Sequence, residues 1–264
     1  MGHVGRLHLK NLVLSVVWRF LLSLSVVLAL IAAGIWVAGW IPATTRVGIN
    51  YIVIQKDISL REKAVHFLSR HLAMRRLARD ITGNKRTAVE KALTIQSWVV
   101  DNIMTPKRAG ELPIIDDHPY SIVIRGYGTR EQRSDLLTIL CGYAGIPAEL
   151  YRLTHPRTGR SIYLALLRLK DKSYLFDPGY DNVFYAKAGR LASLDELLED
   201  LAPVKKAKNQ PVIHGVPYVD YFSGIRRVSR FRRFTRADLQ MPLPRIFYET
   251  LRMAGFKRVS LRYD

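Results

Sequence analysis

A few side chains in the chain of 264 residues have the types that nucleophilic catalysis uses; they are Ser134, Cys141, His155 and Asp177. Such catalysis places a thiol or hydroxyl beside a base, and the base beside a group that orients it. The single cysteine lies among aliphatic and aromatic residues, which is typical of a small core residue. His155 begins a His-Pro-Arg-Thr-Gly segment, which predicts a solvated turn. Ser134 falls one turn inside a predicted helix, where we expect it to face the core or the sheet.

Three motifs follow one another around these residues. They are Gly126–Leu137 (GYGTREQRSDLL), Gly145–Ala148 (GIPA) and Tyr174–Pro178 (YLFDP). In this order they resemble the transglutaminase-like branch of the papain-type cysteine enzymes. In that family Gly-x-Cys opens a buried helix, a His follows on the next strands, and an Asp-Pro closes the triad. The resemblance covers about residues 85 to 200 and implies that the same scaffold is present here.

The resemblance also implies that the triad is degenerate, at positions Arg130, Ile162 and Asp177. Arg130 stands at the nucleophile position, although a guanidinium stays protonated and is no nucleophile. Ile162, or its neighbour Ser161, stands at the histidine position, and only Asp177 matches. Cys141 follows Arg130 by eleven residues, about 16 Å along a helix axis, and is too distant to replace the missing thiol.

Arg130 is therefore expected to act as a fixed cation in the former cleft. We expect it to form an internal ion pair, and its candidate partners are Glu131, Asp135 and Asp177. Recognition of a carboxylate on a ligand is the alternative role. An Asp-Pro at the start of a turn also has a structural use, because its carboxylate can accept backbone N–H bonds.

An uncharged stretch of 21 residues runs from Phe20 to Trp40 and is long enough to cross a hydrocarbon core of about 30 Å. We interpret it as one transmembrane helix. A cleavable signal peptide is the alternative, but its apolar region is typically about 7–15 residues long. Arg6, Lys10 and Arg19 precede the stretch, while Arg46 and Lys56 follow it. The small excess of basic residues before the stretch predicts a single-pass protein with a cytoplasmic N-terminus and a periplasmic domain.

The remaining pattern predicts an α+β domain, with helices packed on a small antiparallel sheet and preceded by the one transmembrane helix. Helices are expected at 59–78 and 86–102, and strands at 147–153 and 161–169. The first helix has a row of predicted buried positions: Leu60, Ala64, Phe67, Leu68, Leu72 and Leu77. The predicted divisions are a short segment 1–19, the span 20–40, a transglutaminase-like domain 41–204 and a basic extension 205–264.

Positive charge is concentrated in the last quarter of a chain whose formal net charge is +19. The candidate contacts with a partner or anion are Arg226, Arg227, Arg230, Arg232, Arg233 and Arg236. Apolar residues recur between them every three positions, which predicts an amphipathic helix for an anionic lipid or acidic protein surface. The alternative is a solvated basic helix docked on its own domain. No nucleic-acid motif, metal-ligand spacing, phosphate loop or cofactor motif is present, so no nucleic acid, metal or cofactor is predicted.

These observations predict a catalytically inactive, membrane-anchored scaffold. Its expected role is that of an accessory or structural subunit in a larger membrane-protein complex, of respiratory, photosynthetic or envelope type. The alternative is an envelope enzyme or binding protein that acts on acidic polysaccharide or peptide, with Asp177, His155 and Ser134 recruited anew.

Overall fold

The computed structural model describes residues 3–49, 52–106, 116–228 and 234–255. The chain divides into two compact units, one containing Met1–Arg46 and Ile54–His66, the other Val47–Val53 and Phe67–Asp264. The α+β class is confirmed, because helices accompany small antiparallel sheets.

The first unit contains a long N-terminal helix, α1 (His3–Ala38). Its stretch Val17–Ala38 has a mean hydropathy of 2.5 over its most apolar window, and that window is fully exposed. Length and composition therefore fit a membrane anchor or a signal sequence equally. The helix ends before the predicted limit at Trp40, because the backbone turns at Gly39. Strands β1 (Pro42–Ile49) and β2 (Ile52–Ser59) then pair in a two-stranded sheet.

Helix α2 (Leu60–Thr82) follows directly and extends four residues beyond the predicted end at residue 78. Its predicted buried face is wrong at four positions, because Leu60, Ala64, Leu68 and Leu72 are exposed. Leu77 does pack against a core cluster, and Phe67 is half-buried. The buried positions are instead Met74, Ala78 and Thr82. The prediction followed the leucines because they are among the most hydrophobic residues of the helix, whereas the buried face consists of a methionine, an alanine and a threonine.

The second unit is built on a four-stranded antiparallel sheet in the order β3-β4-β5-β6. Its strands are β3 (Ala148–Thr154), β4 (Ser161–Leu169), β5 (Lys172–Asp177) and β6 (Asn182–Val183). The helices before it are α3 (Ala88–Asn102), α4 (Pro119–Arg125) and α5 (Arg130–Tyr143). The helix and strand predictions for this part are confirmed within a few residues, whereas α4 was not predicted.

The two faces of this sheet pack against different clusters. Alternate residues of β4 point to opposite faces, so Ala165 and Leu167 join α3 and α5 in the first core cluster. Leu164 and Leu166 join a second cluster on the other face. The helix α5 is buried along most of its length because it lies centrally in the first cluster.

The second cluster is completed by the chain beyond the sheet. This part contains α6 (Leu194–Glu199), α7 (Ala202–Lys205), β7 (Val212–Ile213), β8 (Val216–Pro217) and α8 (Tyr218–Tyr221). Short 3-10 turns lie at Lys187–Gly189, Phe222–Gly224 and Asp238–Gln240, and α9 (Pro242–Met253) follows. Tyr218, Tyr221 and Phe222 are fully buried there, so part of the predicted extension contributes to the core. The predicted boundary at 204/205 stays a prediction.

The helix predicted for the basic segment is absent from its described ends. Residues 225–228 are irregular, Phe234–Ala237 form a bend and turn, and 229–233 lie outside the described residues. Ile225 and Val228 pack against the second cluster, whereas Phe234 belongs to a third cluster with Leu239 and Tyr248. The apolar residues of the segment are thus drawn to two different clusters, and helical spacing could not reveal this.

A close contact fixes the segment after residue 234 to the domain. Gly142 lies near the end of α5, and a Cβ added to it would overlap the Cβ of Ala237. Ala237 is itself buried and belongs to the first core cluster. The two chain segments therefore meet with no space for a methyl group between them.

Gly142→Ala is expected to lower the free energy of unfolding by about 1–3 kcal/mol, because overpacking forces the backbone to shift. Ala237→Gly in the same chain removes the opposing methyl group and should recover most of that loss. Denaturant unfolding of both single variants and the double variant measures the coupling. Losses that simply add in the double variant would show that the two positions do not touch.

Candidate functional site

Asp177 ends β5 with its side chain almost entirely buried. Its Oδ2 accepts a hydrogen bond from the Tyr218 hydroxyl at 2.5 Å, and its Oδ1 accepts one from the Tyr180 backbone N–H at 3.1 Å. The Gly179 N–H is a further donor. Burial raises the pKa of Asp177 from 3.8 to about 6, although these hydrogen bonds and the charge of Arg133 act in the opposite direction. The carboxyl group therefore binds a proton more readily than usual.

Tyr180 connects this carboxyl group to Arg130. The Cζ of Arg130 lies 4.5 Å from the centroid of the Tyr180 ring, within cation–π distance. The Tyr180 ring contacts the Tyr218 ring edge-on, with centroids 5.7 Å apart. A Cβ added at Gly179 would lie 3.0 Å from both the Arg130 Cβ and the Asp177 Oδ1. The turn after β5 is therefore packed tightly between the start of α5 and the buried carboxyl group.

Arg130 does not form the expected internal ion pair with Glu131, Asp135 or Asp177. Among the described residues, no carboxylate lies within 4.0 Å of its guanidinium group. The side chain is exposed, so a contact with the aromatic face leaves its N–H donors available to a partner. This corrects the prediction: Arg130 is held by an aromatic ring instead of a carboxylate.

Arg133 lies one helical turn after Arg130 and is buried. Its Nη1 donates to the Thr105 Oγ1 at 3.0 Å, while its Nε has no hydrogen-bond partner in the described part of the chain. Burial lowers the pKa of Arg133, opposed by the negative charges of Asp177 and Asp181. Two guanidinium groups therefore occupy the first turn of α5, beside a carboxyl group that is largely enclosed.

Local sequence explains why the first turn of α5 is held so firmly. Gly126 ends α4 in the left-handed conformation at φ 71°, which favours glycine. Thr129 then caps α5 by accepting from the Gln132 N–H, and the Gln132 side chain accepts from the Thr129 N–H. Gln132 also binds Arg125 and Asp117. The capping box places Arg130 as the first helical residue.

Ile162 is not part of this arrangement. It pairs with Leu153 across the sheet and is buried in the second cluster, whereas α5 packs in the first. The prediction that Ile162 shares a site with Arg130 is therefore wrong, because its side chain points to the face of β4 away from α5. The backbone of Tyr163 on β4 does meet the start of α5, because its carbonyl accepts a hydrogen bond from the Ser134 hydroxyl at 2.9 Å.

The other candidate nucleophile and base have structural partners of their own. Ser134 is fully buried against the sheet, as expected. His155 lies in the turn between β3 and β4, where its Nδ1 accepts from the Thr158 N–H at 3.2 Å and its ring contacts Tyr221. Cys141 is buried in the first cluster, and burial raises the pKa of its thiol well above the usual range. None of the three side chains is placed as a reactive partner of Asp177.

Sequence reasoning missed Tyr180 and Tyr218. Tyr180 could have been suspected, because it lies three residues after the aspartate, in the turn that Asp-Pro predicts. Tyr218 lies 41 residues after Asp177, and nothing in its local sequence indicates that its hydroxyl meets a carboxyl group. The contact depends on α8 packing on the sheet, which is a tertiary feature.

The predicted contact arginines divide into separate groups. Arg226 and Arg227 are exposed, and Arg227 pairs with exposed Asp195 at 3.0 Å. Arg230, Arg232 and Arg233 lie outside the described residues. Arg236 departs from the prediction, because its Nη2 forms an ion pair with Asp135 at 3.0 Å, and that carboxylate is almost fully buried. Arg236 thus neutralises a charge inside the domain.

Comparison with solved structures finds distant similarity to proteases. One is a "putative cysteine protease" from Cytophaga hutchinsonii, with 16% identity and a TM-score of 0.36 over 41% of this chain and 37% of that one. Another is a "putative protease" from Parabacteroides distasonis, with 14% identity and a TM-score of 0.33 over 53% and 36% of the two chains. The chain therefore spans little more than a third of either structure's length. No protein-family model matches the chain, and no curated protein matches it.

The buried carboxyl group predicts a specific pH dependence. Because the pKa of Asp177 is about 6 in the folded chain and 3.8 ordinarily, the folded state binds the proton more tightly than the unfolded state. Its contribution to stability is complete below about pH 4 and is lost as the pH rises through about 6, by up to about 3 kcal/mol. Asp177→Asn cannot titrate and should lack this loss.

Denaturant unfolding of both chains at several pH values measures the difference, and all other titrating groups cancel because the two chains share them. A difference between the chains that stays constant from about pH 4 to about pH 7 would contradict the raised pKa.

Arg236→Gln tests the internal ion pair. Loss of the cation leaves the buried Asp135 without its partner, so we expect the free energy of unfolding to fall by roughly 3 kcal/mol. Arg226→Gln is the matched control, because this side chain is exposed and should change stability by less than about 0.5 kcal/mol. Equal effects of the two substitutions in denaturant unfolding would show that the pair with Asp135 contributes nothing.

Proposed function

We propose that the chain is a membrane-anchored, non-catalytic domain of the transglutaminase-like type that serves as an accessory subunit of a larger membrane-protein complex. The proposal rests on the residue at the start of α5, Arg130. A guanidinium group that cannot act as a nucleophile occupies this position and is held on the ring of Tyr180. The carboxyl group beside it is enclosed by a tyrosine hydroxyl and backbone amides.

The distribution of the reactive types supports the same proposal. A nucleophile and a base must lie within hydrogen-bond reach of each other to react. The Ser134 hydroxyl donates a hydrogen bond to the backbone carbonyl of Tyr163. The ring of His155 accepts one from the Thr158 N–H in its own turn. The only thiol is buried with a raised pKa. Each group therefore stabilises the fold where it lies.

Binding is the chemistry that the first turn of α5 supports. Arg130 is exposed at the N-terminus of α5, where the helix dipole also favours a bound anion. Because the Tyr180 ring fixes the guanidinium group, little side-chain entropy is lost when it binds a planar acceptor. A carboxylate on a partner subunit fits this group, and the excess of Lys and Arg over Asp and Glu favours an acidic partner surface.

The proposed location follows from the apolar helix and its flanking charges. We place the N-terminus in the cytoplasm, α1 across the bilayer and the domain in the periplasm, because Arg6, Lys10 and Arg19 precede the apolar stretch. Arg226 and Arg227 are exposed on the domain and are proposed as further contacts to the acidic partner surface.

One observation favours the alternative, an enzyme acting on acidic polysaccharide or peptide. A carboxyl group with a pKa of about 6 could exchange a proton near neutral pH, as catalytic acids do. Its burial and its saturation by three donors instead fit a structural role, because a catalytic acid must reach its substrate. The two possibilities predict opposite outcomes in an assay.

The test uses the full chain extracted in mild detergent. We expect a defined complex that co-migrates through size-exclusion chromatography, no hydrolysis of amide or ester substrates, and no reaction of Cys141 with a thiol probe. Arg130→Gln, which removes the charge but keeps N–H donors on a long side chain, should weaken association with the partner subunits. Arg157→Gln, an exposed arginine in the turn between β3 and β4, should leave that association unchanged.

Two results would contradict the proposal. Turnover that is lost in both Asp177→Ala and the more conservative Asp177→Asn would show that the carboxyl group is catalytic. A chain that migrates alone and gives no complex, with or without Arg130, would remove the accessory role.

A further inference from the structure

Helix α9 carries an apolar surface that the domain does not cover. The residues on this outer face recur at helical spacing and have exposed fractions of 80% for Leu243, 63% for Ile246, 49% for Phe247 and 78% for Met253. Residues at i, i+3, i+4 and i+10 lie on one side of a helix. We call this the outer face of α9.

The opposite side of α9 attaches the helix to its own domain. Tyr248 is buried, and its ring contacts Phe234 with centroids 5.5 Å apart. Phe247 lies at the edge between the two sides, because its ring also contacts Phe234, at 5.9 Å, although it is 49% exposed. Leu251 packs against the same cluster. The helix therefore packs on its own domain through one apolar side, and the outer face is a second apolar side that stays exposed.

Charged side chains border the outer face along one edge. Glu249 pairs with Arg245 at 2.8 Å and with Arg252 at 3.0 Å. This network keeps two guanidinium groups beside the apolar residues and leaves one positive charge in excess. Residues 225–264 contain eleven Lys and Arg against three Asp and Glu, so the surrounding segment is strongly cationic.

We infer that the outer face of α9 lies in the interfacial region of an anionic bilayer. An apolar helix face edged by arginines is the pattern of an interfacial helix, which buries its apolar side at the boundary between headgroups and acyl chains. Anionic headgroups attract the cationic segment around it. The candidate span Val17–Ala38 belongs to the same chain and is compatible with a bilayer as its surroundings.

A second copy of the chain is a poorer occupant of this surface. Each copy carries a formal charge of +19, and charge of the same sign opposes the approach of the two cationic segments. A bilayer with anionic lipids offers the complementary charge instead. The inference goes beyond the proposed function and is independent of whether Asp177 is catalytic.

The test places an environment-sensitive fluorophore on the full chain through Ile246→Cys, with Cys141 retained because it is buried and unreactive. Unsubstituted chain treated with the same reagent reports any labelling of Cys141. The protein is reconstituted into vesicles of phosphatidylcholine alone or mixed with phosphatidylglycerol, each with nitroxide-labelled acyl chains. Arg157→Cys, in the exposed turn between β3 and β4, is the control position.

We expect the label at 246 to lose most of its emission in vesicles that contain phosphatidylglycerol, and to lose much less in phosphatidylcholine alone. The label at 157 should stay bright in both. Leu243→Cys gives a second label on the outer face, so the test does not depend on one substitution. It should reproduce the result at 246.

Three outcomes would overturn the inference. Labels at 246 and 243 that stay unquenched in both vesicles would show that the outer face does not meet lipid. Equal quenching in both would remove the requirement for anionic lipid. A shift in emission that grows with protein concentration, without quenching by the lipid nitroxides, would assign the face to a second copy.

Discussion

The carboxyl group of Asp177 joins three parts of the chain that are far apart in sequence. It ends a strand of the sheet, receives the hydroxyl of Tyr218 from α8, and binds the backbone of the turn that supports Arg130. An unpaired carboxylate at this depth would cost several kcal/mol, so the hydrogen-bond donors around it stabilise this arrangement of the chain. The raised pKa shows that they compensate for burial only in part. The positions of Arg130 and Tyr180 follow from satisfying this buried group.

The sequence predicted well those features that depend on local pattern. The helices α3 and α5 and the strands β3 and β4 are confirmed within a few residues, because hydrophobic periodicity acts over a few neighbouring positions. The prediction that Ile162 lies in the site was wrong. A strand alternates its faces, so a displacement of one residue moves a side chain to the other side of the sheet, and a distant resemblance cannot fix the register that closely.

Features that depend on tertiary packing were beyond the sequence pattern. Arg130 was expected beside a carboxylate, since charge suggests an ion pair, but its guanidinium group lies over the ring of Tyr180. Arg236 resembled its neighbours in a basic run, yet it pairs with Asp135 within the domain. An exposed apolar face lies on α9, at Leu243 and Ile246, which the sequence pattern did not single out. Composition located the basic region correctly but could not tell which of its residues the domain uses.

The contact between Gly142 and Ala237 restricts which residues related proteins can have at these two positions. Because a Cβ at position 142 would overlap the methyl group of Ala237, a side chain at position 142 is tolerated only if position 237 becomes glycine. Related chains that keep this docking should therefore vary at the two positions in a correlated way, and relatives with bulky residues at both must route the polypeptide differently after the sheet. The pair thus marks whether a relative shares the architecture of the last quarter, independently of any similarity around Arg130.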